Sequence, residues 1–138
     1  MTEFVPHEKG TILSIAGKID HLHVICTRQF FYQEKGEQAV IAVNVSSIKE
    51  GASYDGTCVL RAGDHPFIRH DSYVRYKDAV AMSVEGLTKK IEANEISVLE
   101  DVSDEVFQRV FDGFAKSEFT KTKIKKLLRS IAAENENH

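Results

Sequence analysis

The sequence predicts an α+β fold, with a small curled sheet or barrel in its first two-thirds and helices packed on it from the C-terminal end. Three observations carry this. Short apolar, β-branched runs bounded by glycine and turn residues recur through residues 10–84. The period then changes, with Val106, Phe107, Val110, Phe111 and Phe114 returning at three-and-four spacing. Strands followed by helices, rather than alternating with them, are the pattern of α+β domains.

Taken in order, TILSIA (11–16) is a short apolar strand between Gly10 and Gly17. HLHVICT (21–27) alternates, setting Leu22, Val24 and Cys26 against His21, His23 and Ile25. QFFYQ (29–33) extends or follows it, and EKGE (34–37) has hairpin-turn composition. QAVIAVNVSS (38–47) is nearly all apolar and β-branched, which predicts a central strand. TCVLR (57–61) follows, and SYVRYKDAVAMS (72–83) reads as one long strand or two joined by a bend. Ser103 before Asp104 and Glu105 is a helix start, a capping oxygen with acids at the positive end of the dipole. A second helix starts near Thr120, with Ile124, Leu127, Leu128 and Ile131 on one face. Its other face carries Lys121, Lys123, Lys125, Lys126 and Arg129, and the tail at 134–138 is expected to fray.

At 138 residues the chain has the size of one domain, and 1–138 is read as such. Its 42% hydrophobic and 28% charged residues suit a packed core, no apolar run spans a bilayer, and the N-terminus has no secretion-signal pattern. A cytoplasmic protein with no membrane contact is expected. Cys26 and Cys58 lie in strand-like runs without CxxC spacing, as two reduced, buried thiols would. The net charge of −3 argues against non-specific coating of nucleic acid, though not against a local cationic groove.

The segment RAGDHPFIRHDSYVRY (61–76) concentrates ionisable groups around a Gly63/Pro66 turn, and loops on a rigid scaffold are where function usually sits. Structural duties compete: Asp64 in an Asx-turn, His65 packed on Phe67, Asp71 and Ser72 capping a turn. A metal site would draw on His21 and His23, on one strand face, with Asp64, His65, His70 and Asp71, but no metal-binding spacing motif supports it. No G-x-S-x-G elbow or Gly-rich phosphate loop is present, so no metal and no cofactor is expected. The residue types suit RNA cleavage by its own 2′-hydroxyl. That reaction needs a base, an acid and a cationic clamp, roles for histidine and arginine.

In order and pattern, GTILSI, HLHVICT, AVIAVNVSSIK, TCVLRAGDHPFI, SYVRYKDAVAMS and ISVLEDVSDEVFQRVFDGF resemble the MazF/PemK/Kid toxin endoribonucleases over roughly residues 10–115. Ser46 and Ser47 match the family's hydroxyl pair after a central strand, and DSYV its Ser-x-Val strand start. His21 stands where the family has an arginine. The resemblance implies a closed SH3-like antiparallel β-barrel with C-terminal helices packed against it. It also implies metal-independent cleavage of single-stranded RNA, a homodimer and an antitoxin peptide. The catalytic set expected is His21, His23, Ser46, Ser47, Asp64, His65 and Arg69, with Arg61, His70, Ser72, Tyr73 and Tyr76 on the substrate. The alternative is a non-catalytic SH3-like module that binds protein or nucleic acid.

Overall fold

A computed structural model of the chain describes residues 4–16 and 19–136. The strands are β1 (Thr11–Ala16), β2 (Ile19–Ile25), β3 (Phe30–Tyr32), β4 (Glu37–Ser47), β5 (Val59–Leu60), β6 (Ser72–Val74), β7 (Val80–Ser83) and β8 (Ile96–Leu99). The helices are α1 (Val84–Glu92), α2 (Asp104–Lys116) and α3 (Thr122–Glu136). The apolar run at 38–47 forms the hub: β4 pairs antiparallel with β2, β3, β6 and β7.

The closed, strongly curled SH3-like barrel does not form. The sheet is open and runs β5-β6-β4-β2-β1-β8. Among the described residues no ladder joins its two ends, β5 and β8. The reason is local: TCVLR yields a strand of only two residues, and the chain around it turns instead of pairing. A barrel needs its terminal strands long enough and staggered enough to pair around the axis. Here the α+β class and the C-terminal helices stand, and the closure does not.

Of the two forms expected for 72–83, the second is found: two strands, β6 and β7, separated by a 3-10 turn at Tyr76–Asp78. A helix, α1, follows directly, where no helix was expected; Ser83 caps it by accepting a bond from the Gly86 N–H at 3.0 Å. The polar tail continues α3 as far as Glu136.

The main core lies between one face of the sheet and α2 and α3. Leu22, Val24 and Cys26 face it with Ile41, Val43 and Val74, and Val106, Val110, Phe114, Ile124 and Ile131 close it from the helices. Ile12, Ile25, Val40, Leu87 and Ile96 make a smaller cluster under α1. Both cysteines are free and buried. Burial, the larger cause, and the nearby Glu8 push the Cys26 thiol up. Such thiols are packing groups.

At the centre of the α2 contact Tyr76 is fully buried and its hydroxyl donates to the Val110 carbonyl at 2.7 Å. A Cβ at Gly113 would run into that phenol ring, so the helix reaches the sheet there only because the residue is glycine. Among the described residues no helix is long and apolar enough to cross a membrane.

Candidate functional site

The last residues of β4 set one wall of a solvent-open groove of about 580 Å³. Register places Ser46 opposite Tyr73 and Ser47 opposite Ser72 on β6, while Leu22 of β2 faces Val45. One step beyond that Leu22–Val45 pair, His21 and Ser46 both line the groove. The facing wall is the loop Pro66, Phe67, Ile68, Arg69 and His70. Lys49, just after β4, and Arg75, just after β6, complete a cationic rim, and no carboxylate lines it among the described residues. Arg75 is engaged by Asp78 at 2.7 Å. Phe67 is 42% exposed, an apolar plate beside the charges.

The loop is shaped by groups that do not themselves reach the groove. Gly63 sits at φ +99°, a backbone conformation costly for other residues. Asp64 accepts the Arg61 N–H at 2.8 Å and pairs with Arg109 of α2 at 3.1 Å. Partial burial works against the Asp64 carboxylate, yet those bonds prevail and hold its pKa below the ordinary value. His65 is 3% exposed. Its Nδ1 accepts the Phe67 N–H at 3.1 Å and its Nε2 donates to the Glu100 carbonyl at 2.6 Å, which assigns the neutral tautomer protonated at Nε2. Thr11 Oγ1 donates to the same carbonyl at 2.6 Å.

Of the expected site residues, the structure brings His21, Ser46, Ser47, Arg69, His70 and Ser72 to one groove. Ser72 is itself buried, with its hydroxyl donating to the His70 carbonyl at 2.9 Å. His23 lies outside the lining and is half-buried; desolvation, the dominant cause, lowers its pKa, against the opposing pull of the His21 carbonyl. Asp64 and His65 serve the loop's own structure, Arg61 pairs with Asp71 at 3.4 Å, and Tyr76 belongs to the core. Tyr73 opens onto a neighbouring hollow. Lys49 and Arg75 were not in the expected set. The signal for both was a basic residue within two positions of a strand end.

No family model matches the chain, and neither does a curated protein or a solved structure. The resemblance to the MazF/PemK/Kid toxins is therefore withdrawn: its defining barrel is an open sheet, and no sequence match supports it. The metal-free endoribonuclease falls with it. It needed that barrel and a proton-transfer role for His65, which is buried and bonded at both ring nitrogens. The SH3-like binding module loses the same premise. Among the described residues no group of three or more His, Cys, Asp or Glu side chains is placed to hold a metal ion.

Proposed function

We propose that the groove binds a phosphate-bearing ligand and that this binding is the protein's function. The observation that carries the reading is its lining: Lys49 and Arg69, neither in an ion pair among the described residues, with two imidazoles, the Asp78-paired Arg75 and, among the described residues, no carboxylate, on a chain whose net charge is −3. Surfaces of a net-acidic protein collect cations at one spot by chance less readily than they scatter them. Self-repulsion among such cations is relieved when an anion enters. A guanidinium grips a phosphate with two parallel bonds, and the Ser46 and Ser47 hydroxyls supply donors to its remaining oxygens. Single-stranded RNA is one member of this ligand class, and small sugar phosphates are another.

The test is calorimetric titration with ribose 5-phosphate and with a short single-stranded oligonucleotide, each at low and at moderate salt. The expected result is binding of at least one of them that weakens as salt rises and is lost in the Lys49→Ala/Arg69→Ala double variant. Absence of any phosphate binding at low salt, or binding indifferent to both lost charges, overturns the reading.

A further inference from the structure

We infer that the phosphate-bearing ligand is a nucleotide, its base stacked in an aromatic hollow that adjoins the groove at Arg75; this rests on the groove reading above. The hollow has a volume of about 220 Å³, and Tyr54, Tyr73 and Phe119 line it. Arg75 lines both it and the groove. Tyr73 stands opposite Ser46 across the β4–β6 ladder, so the two sites are carried by directly paired residues on the same face of the sheet.

These rings are presented to solvent on a fixed frame. Tyr54 is 46% exposed and Phe119 is 48% exposed. The Tyr54 and Tyr73 rings lie 5.4 Å apart at 42°, a tilted pair packed on each other, and both line the hollow. The two loops carrying Tyr54 and Phe119 are tied together by buried Ser117, whose hydroxyl donates to Asp55 at 2.7 Å and accepts the Phe119 N–H at 3.1 Å. Asp55 is anchored in turn by the Thr57 N–H at 3.0 Å. The hollow therefore needs no ordering when a ligand arrives. Packing alone does not call for Tyr54 and Phe119 to stay this exposed around a hollow, whereas a planar heterocycle finds ring faces there beside Arg75, which also lines the phosphate site.

Calorimetric titration with adenosine 5′-monophosphate, ribose 5-phosphate and adenosine tests the inference on the wild type, Tyr54→Ala and Tyr54→Phe, each checked for native circular dichroism. The monophosphate is expected to bind about tenfold tighter than the sugar phosphate, a margin typical of one stacked base. Tyr54→Ala should remove that margin and Tyr54→Phe keep it, with the sugar phosphate unaffected by either. Equal affinity for the monophosphate and the sugar phosphate in the wild type overturns the base site while leaving the groove reading in place. Adenosine binding as tightly as its monophosphate overturns the joining of the two sites. Failure of both phosphates to bind overturns this inference, and the groove reading falls with it when the oligonucleotide also fails to bind.

Discussion

The two halves of the segment from Arg61 to Ser72 use the same residue types for opposite ends. In the first half, Asp64 and His65 face inward: one ties the turn to Arg61 and α2, the other ties it to the Glu100 carbonyl. In the second half, Arg69 and His70 are exposed along the groove, and neither forms an ion pair among the described residues. A dense run of ionisable residues is thus not one site. Part of it builds the loop, and the rest is what the loop presents.

The comparison breaks first at His65. Removing this buried imidazole orphans the Phe67 N–H and leaves a void, so His65→Ala should lower the unfolding free energy by about 3 kcal/mol. Urea titration reads this directly, and a loss under about 0.5 kcal/mol would remove His65 from the structural half. Asp64→Ala should cost about 1 kcal/mol, since the bond to the Arg61 N–H is lost and the Arg109 pair is partly screened by solvent. Its pH dependence carries a sign. The Asp64 pKa is lowered on folding, so its contribution is present above the ordinary carboxylate pKa and disappears as pH falls through the folded value. The difference in stability between wild type and Asp64→Ala should therefore shrink in acid.

A smaller effect of opposite sign lies beside the Glu100 anchor. His7 holds the Val5 carbonyl at 2.7 Å through Nδ1 and both Asp101 oxygens at 3.0 Å through Nε2, an arrangement for the doubly protonated ring. The Val5 carbonyl raises its pKa most, partial burial opposes, and Asp101 adds to the rise. This contribution is complete below the unfolded value of 6.5 and is lost as pH climbs through the raised folded value. Comparing His7→Ala with wild type across that window should show the gap closing toward alkaline pH. The smallest change in stability is expected for Arg69→Ala, within about 0.5 kcal/mol of wild type. A large loss there would assign Arg69 to the structural half and weaken the groove reading.

Legibility followed the range of the interactions. The alternation at 21–27 was readable because a strand sends successive side chains to opposite faces, and Leu22, Val24 and Cys26 do lie in the main core. The start of α2 was readable from Ser103, whose hydroxyl accepts the Val106 N–H at 3.2 Å. Helix α1 went unread although Ser83 offered the same kind of cap, because its apolar residues Val84, Leu87 and Ile91 continue an already apolar strand without a break. His65 and Tyr76 looked like surface chemistry in the sequence. Their burial depends on Glu100 and Val110, residues 35 and 34 positions away.

What the sequence by itself determined is the strand at the hub, the cap of α2, the apolar stripes of α2 and α3, and the choice of apolar faces, since each depends on neighbours within a few residues. Only the tertiary structure decided that the sheet stays open and which polar groups around Pro66 meet water. Strand closure and burial are settled by pairings between distant segments, whose cost in chain entropy and gain in contacts no local pattern records.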